Sequence, residues 1–286
     1  MSMEIVAQYM DFSAHNSLAA VLRWSDTGQM ALLMGVSDKS VRYGLKESWE
    51  RASVMRLNKV EMLVSGPAWE KVFTEGTALA AANSSHGEAY AGMRVHVVPT
   101  LACVGRTSWT VLSDVRTKDG VGLAKVETVM VLLDAGTLST PVPLLHSSVL
   151  QSLVVEGFSP NVPAVCDQPA GAFVWQTQVR PSDCDLLGHM NNVCYAMLME
   201  DACGAAAACG ALPVAGTGCG VRLAAVEYLG QAKALERLDV ALWWDQLAGA
   251  FGLRVSAVPH GGKERKDGEG RVVATGVIAP WAQARL

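Results

Sequence analysis

The stretch Val179-Arg-Pro-Ser-Asp183-Cys-Asp185-Leu-Leu-Gly188-His189-Met-Asn191-Asn192-Val-Cys-Tyr195-Ala-Met-Leu-Met-Glu200 decides how the chain is read. An alternating apolar run, Val174 to Val179, enters it as a strand, and Pro181 stops that strand because its nitrogen carries no hydrogen for the ladder. A polar loop follows. A helix then begins near Asn191, with Tyr195 and Leu198 on its buried side. Loop groups thus meet a helix amino terminus, where unpaired backbone N–H groups and the positive end of the dipole can bind a developing negative charge. Gly188 admits dihedrals closed to other residues and lets a ligand approach the backbone closely. Asp185 can attack a polarised carbonyl or activate water, and His189, four residues on, can orient that carboxylate or bind substrate.

Plainer readings stand beside these. Asp183 reads as an Asx-turn residue, Asn191 or Asn192 as a helix cap, and Glu200 as a structural partner for loop amides. Cys184 and Cys194 flank the motif and invite a thiol nucleophile, but small buried cysteines are common.

Working outward, the motif has a weaker copy upstream. Asp11-Phe-Ser-Ala-His15 and Asp185-Leu-Leu-Gly-His189 share a D-x-x-small-H pattern at an offset of 174 residues, and at the same offset Asp26 falls on Glu200. Arg56-Leu-Asn-Lys-Val-Glu61 and Arg222-Leu-Ala-Ala-Val-Glu227 continue the match at an offset of 166. The first copy has Ala14 in place of the glycine and Ser17-Leu18 in place of the paired asparagines, so it reads as a half that completes the fold and shapes a pocket. Each half ends in alternating β-branched segments: Met93 to Val98, Ser108 to Thr117 and Leu123 to Leu133, then Leu238 to Trp244, Gly252 to Val258 and Arg271 to Ile278. Lys118-Asp119-Gly120 and Lys266-Asp267-Gly268 are matching hairpin turns. Pro141, Pro143, Pro160, Pro163 and Pro169 mark a linker, which divides the chain into 1–135, 136–172 and 173–286; within it Ser148 to Val155 can still pack as a short helix or strand.

Composition narrows the class. With 50% hydrophobic and 17% charged residues in 286, the chain has material for sizeable cores and too little charge for disorder. A net charge of −4 with dispersed cations argues against nucleic acid, and the basic run Lys263 to Lys266 reads as a solvated hairpin tip. Seven cysteines without C-x-x-C suggest neither disulfides nor structural zinc, and His86, His96 and His146 form no metal-ligand spacing, so no metal is expected. No run reaches the roughly 18 apolar residues of a membrane span, and neither a secretory nor an Arg-rich transit signal is recognisable, so the expected compartment is the cytoplasm. An import signal removed upstream would leave this expectation open to an organelle.

The 22 residues from Val179 to Glu200 resemble the signature of hotdog thioesterases, roughly V-R-x-S-D-x-D-x-x-x-H-x-N-N-x-x-Y-x-x-x-x-E. The likeness is to the 4-hydroxybenzoyl-CoA thioesterase-like and acyl-ACP thioesterase families. It implies an α+β fold, a tandem (double) hotdog, each unit a long central helix wrapped by a curved antiparallel sheet. It also implies hydrolysis of an acyl-CoA or acyl-ACP thioester without a cofactor, and it allows a homodimer of the double unit. Asp185, His189, Asn191 and Glu200 match the catalytic positions, and Gly188, Asn192 and Tyr195 the substrate-binding ones. Plant acyl-ACP enzymes carry an asparagine where this chain has Leu187, which brings the expected site closer to the 4-hydroxybenzoyl-CoA type. No H-F-P-x-x-P-x-x-P-G pattern of the hydratase branch is present. Arg180, Arg222, Lys233 and Arg237 are candidates for a carrier-protein patch if the fold gathers them. Trp24, Met30, Leu32 and Met34 could line an acyl channel or simply pack, and of Trp243-Trp244, which point to opposite faces of a strand, at most one can touch substrate. The competing reading is a thioesterase-like protein kept as an inactive binding or scaffold module.

Overall fold

A computed structural model describes residues 3–7, 17–36, 51–65, 93–144, 150–157, 159–185, 188–211, 220–258 and 270–281. Its strands are β1 (Met3–Ala7), β2 (Arg51–Met62), β3 (Met93–Val104), β4 (Ser108–Thr117), β5 (Gly122–Asp134), β6 (Phe173–Gln178), β7 (Val221–Tyr228), β8 (Arg237–Asp245), β9 (Ala250–Val258) and β10 (Arg271–Pro280). Between β1 and β2 lies α1 (Ser17–Val36), and between β6 and β7 lie a 3₁₀ turn (Pro181–Asp183) and a second helix, α2 (Asn192–Ala208). The strand segments read from alternation are all present: Ser108 to Thr117 is unchanged, Val174 to Val179 is shifted back by one residue to Phe173–Gln178, and the others are lengthened at one or both ends.

Among the described residues ten strands form one antiparallel sheet in the order β1-β3-β4-β5-β2-β7-β10-β9-β8-β6. From either edge inward, the order is first, third, fourth, fifth, second strand of that half. The halves meet where β2 pairs with β7, from Leu57 opposite Glu227 to Glu61 opposite Leu223. Arg56 reinforces this seam by donating to the Tyr228 carbonyl and pairing with Glu227 at 2.9 Å. No open edge is left at the centre, so the two five-stranded halves share one continuous ladder.

Strand alternation sorts the sheet into two faces. Val95, Val97, Val115, Val126, Val226, Leu238, Val240 and Phe251 point inward and are almost fully buried with Leu18, Leu22, Ala196 and Met199 of the helices. The helices also touch each other, in antiparallel register: Asp26 meets Asn192 at one end, and Leu18 meets Glu200 at the other. Midway between those contacts in sequence stand Leu22 and Ala196, at 1% and 0% exposure, where the small alanine side chain lets the backbones approach. The tryptophan pair divides as alternation requires. Trp244 stacks on Phe251 on the helix side, while Trp243 lies on the outer face over Gly252, where a Cβ would meet the indole at 2.3 Å.

That outer face is covered by the proline-rich segment. Ser159 joins the Lys59–Glu127 ion pair, Val162 and Val165 pack on Leu223, Ala250 and Ala279, and the Cys166 carbonyl accepts from the Trp243 indole at 3.1 Å. Residues 150–153 make a helical turn whose Leu150 packs beside Leu101, Trp109 and Val111, whereas Leu153, Val154 and Val155 are exposed and the Val155 N–H donates to the Leu101 carbonyl. Gly120 has φ +86°, the conformation expected of the first hairpin turn. The second turn and the basic run at 263–266 lie outside the described residues, as do Asp11, Ala14 and His15 of the first motif, His86, His146, Leu187 and the side chains of Met30, Leu32 and Met34.

Candidate active site at the start of the second helix

The loop from Asp183 to Asn191 closes on itself as a tight hairpin. The Asp185 N–H donates to the His189 carbonyl (2.8 Å), the Gly188 N–H to the Asp185 carbonyl (3.0 Å), and the Asn191 N–H to the Asp183 carbonyl (2.8 Å). The Asp185 carboxylate accepts the His189 N–H at 3.2 Å, so Asp185 and His189 face each other across the turn. Gly188 supplies the bend at φ +76°, where a side chain would be strained, although a Cβ there would meet nothing within 4 Å. Its glycine requirement is therefore conformational. Asp185 and Gly188 are exposed and His189 is half-buried.

A second layer holds this loop in place. His189 bridges to Lys233, and the Met190 N–H donates to the Ala232 carbonyl at 2.8 Å. The Ala232 N–H donates in turn to the Tyr195 hydroxyl at 3.3 Å. Tyr195, 3% exposed, stands edge-on to Tyr228 with ring centroids 5.4 Å apart, and burial pushes its phenol up to about 12. The structure thus puts Tyr195 beneath the loop as its support. Asp183 ties down the other side: its carboxylate takes the Arg180 backbone N–H at 2.9 Å and pairs with the Arg180 guanidinium at 2.9 Å. This is a bond back onto Arg180 across the 3₁₀ turn, in place of the forward bond to Asp185 N–H that an Asx turn would make.

Asn191 and Asn192 divide their work. Asn191 is the N-cap, its side-chain oxygen accepting the Val193 N–H at 2.9 Å. Asn192 turns inward and donates from Nδ2 to the Asp26 carboxylate of α1 at 2.7 Å and toward the Met55 sulfur at 3.2 Å. Burial pushes the Asp26 carboxyl from 3.8 up to about 6, against the lowering pull of the Asn192 bond. The Asn192 backbone carbonyl accepts from Tyr228, whose hydroxyl also receives Asn58; Asn58 accepts from Thr128, and Thr128 from Gln29. A buried polar chain therefore runs from α1 through the seam to the start of α2. Sequence reasoning paired Asp26 with Glu200 by offset and missed this contact, which needs the antiparallel helix packing to exist.

Glu200 lies eight residues up α2 from Asn192, about 12 Å along the helix axis. The structure brings its carboxylate to the first turn of α1, where it accepts the backbone N–H groups of Leu18 and Ala19. Burial raises its carboxyl well above the ordinary value, only partly offset by those bonds, and Oε2 has no hydrogen-bond partner. It belongs to the other helix start, away from the Asp185–His189 hairpin.

Burial also raises the thiols of Cys184 and Cys194, with Asp183 adding to both, which disfavours the reactive thiolate at each. Of the four cations, the 179–180 segment lies beside 233–237 through the Leu235 N–H to Val179 carbonyl bond, which gathers Arg180, Lys233 and Arg237 at the loop. Arg222 sits at the far end of β7 from Tyr228, roughly 20 Å away at strand rise. Among the described residues no group of three or more His, Cys, Asp or Glu could hold a metal ion. Nor is any helix there long and apolar enough to cross a membrane.

Residues 179–277 match the family model described as the Thioesterase-like superfamily, so the resemblance carried by the 179–200 motif holds at that level. Among curated proteins none matches the chain. Among solved structures, an acyl-ACP thioesterase from Bacteroides thetaiotaomicron superposes with TM-score 0.65 at 16% identity, over 98% of this chain and 96% of that one. A 12:0-ACP thioesterase from Umbellularia californica superposes with TM-score 0.64 at 13% identity, over 98% and 96%. At these identities the likeness establishes a shared fold, that of the hotdog thioesterases.

Proposed function

We propose that the chain is a tandem hotdog, with units at 1–135 and 173–286, that hydrolyses acyl thioesters of CoA or ACP at the junction of the 185–189 hairpin and α2. The observation that carries this reading is the hairpin itself: backbone bonds hold Asp185 and His189 against a helix start whose Asn192 N–H, in the first turn, has no partner within the helix. A thioester carbonyl seated there would be polarised by that N–H and the helix dipole. Asp185 then takes a proton from water as the water oxygen adds to the carbonyl, and the C–S bond breaks with that proton passing to the departing thiolate; alternatively Asp185 attacks the carbonyl and expels the thiolate, and water then splits the acyl–aspartyl anhydride into the acid, the free carboxylate and the proton the thiolate takes. His189 binds or orients the reacting groups, Gly188 shapes the approach, and the inward side chain of Asn192 sets the position of the helix start. Asn191 and Tyr195 support this arrangement as cap and buttress. Glu200 is assigned to capping the start of α1. The match of 179–277 to the Thioesterase-like superfamily supports the reaction class, and the exposed Arg180–Lys233–Arg237 group supports an anionic carrier.

Thiol release from a panel of acyl-CoAs and acyl-ACPs of graded chain length tests the reading, with Asp185→Asn beside the wild type. Loss of about 10²- to 10⁴-fold in kcat/KM is expected, the range for a positioned acid or base. Turnover that survives the substitution would remove Asp185 from the mechanism, and folded protein without turnover across the panel would leave the binding-module reading in its place.

A further inference from the structure

The half that has lost its own motif still sends one carboxylate to the other half's helix start. Asp26 accepts Asn192 Nδ2–H at 2.7 Å, and its second oxygen, Oδ1, is sealed from solvent with no hydrogen-bond partner. A buried carboxylate with an idle oxygen is costly to keep, and an alanine or leucine would fill the helix interface at no such cost. Its place beside Asn192 points to a use.

We propose that Asp26 is a positioning residue for the α2 site, holding the Asn192 side chain, and through it the start of α2, in the geometry that meets substrate; this rests on the hydrolase reading. While ionised, Asp26 makes a charge-assisted acceptor for Asn192; once protonated it loses that charge and the bond weakens. With the carboxyl raised by burial to about 6, the change falls within an accessible pH range.

Among the described residues, Asp26 is the group that changes there. Tyr228 of β7 feels the Asp26 carboxylate but is pushed far up by burial and stays protonated. From β2 come the uncharged Asn58 and Met55, while Arg56 and Lys59 turn outward to Glu227 and Glu127. Strand alternation with the buried Val95, Val97, Val115 and Val126 directs His96, Asp114, Arg116, Lys125 and Glu127 to the opposite face. On α2, the Cys194 thiol is raised, and Glu200 is engaged two turns away with α1. On α1 itself, Arg23 is exposed one turn earlier.

The test is kcat/KM against pH for wild type, Asp26→Asn, Asn192→Ala and the double variant, together with the Asn192 side-chain amide resonances over the same range. Wild-type kcat/KM should fall as pH drops through about 6. Asp26→Asn should lose that acid limb and about tenfold of the plateau, the scale of one charge-assisted bond. Asn192→Ala should lose the same limb, and adding Asp26→Asn to it should change nothing further. The Asn192 amide should shift with a midpoint near pH 6 in wild type and stay flat in Asp26→Asn. An acid limb and plateau unchanged in Asp26→Asn, or an Asn192 amide that does not titrate, overturns the proposal while leaving hydrolysis standing. A wild type with no turnover would sink the hydrolase reading instead, and the amide titration would still judge the pair.

Discussion

The two helix starts face opposite carboxylates, and the difference is one methylene. Glu200 reaches from α2 to the backbone of α1 and takes the N–H groups of Leu18 and Ala19, the place an external anion would occupy. Asp26 reaches from α1 toward α2 at the reciprocal position but stops at the Asn192 side chain, and the α2 backbone is capped locally by Asn191. A longer side chain fills one start; a shorter one leaves the other to the 185–189 hairpin. The helix packing keeps its near two-fold register, and on the reading proposed above the start of α2 is the one that receives a ligand.

The largest expected contrast is catalytic. Asp185→Asn should cost about 10²- to 10⁴-fold in kcat/KM, whereas Asp11→Asn, at the corresponding position of the first copy, should stay within about twofold. Comparable losses from both substitutions, read in the same thiol-release assay, would mean that the first copy is still working and that the asymmetry of the helix starts has another purpose.

Much of this asymmetry was written locally. Alternation located the strands because inward and outward positions differ in burial, and Pro181, Gly188 and Asn191 act within a few residues of themselves. The 174-residue offset linked Asp26 to Glu200 without revealing what either touches. Each of those carboxylates finds its partner on the other helix, across 166 or more residues of chain, so no local pattern encodes the contact. Tyr195 shows the same limit. Its position in the motif suggested substrate, whereas its hydroxyl is bound to Ala232, in a loop that sequence spacing does not place beside it. The strand order, with β2 against β7, is likewise a product of long-range packing.

A second, smaller contrast concerns stability. A carboxyl whose folded value lies above its unfolded one binds its proton more tightly when folded, so stability is lost as pH rises between the two values. For Asp26, from 3.8 to about 6, the loss amounts to about 3 kcal/mol above pH 6. Asp26→Asn should therefore be more stable than wild type at pH 7, by up to that amount, and equal to it near pH 4. Urea unfolding at the two pH values measures this. Glu200→Gln should follow the same sign, but it also weakens the acceptor for the Leu18 and Ala19 N–H groups, so its gain should be the smaller of the two. A neutral-pH loss in Asp26→Asn would show that the carboxylate stabilises the helix pair and is kept for that reason.

The smallest effect separates the two ways of finishing a helix start. Asn191→Ala removes the acceptor of the Val193 N–H and should cost about 1 kcal/mol, the usual worth of an N-cap. The backbone bond from Asn191 N–H to the Asp183 carbonyl remains, so the hairpin should keep its place and kcat/KM should fall only a fewfold. A drop as deep as that of Asp185→Asn, with the same modest loss of stability, would instead put the Asn191 side chain at the reacting carbonyl and reduce its bond to Val193 to a resting position.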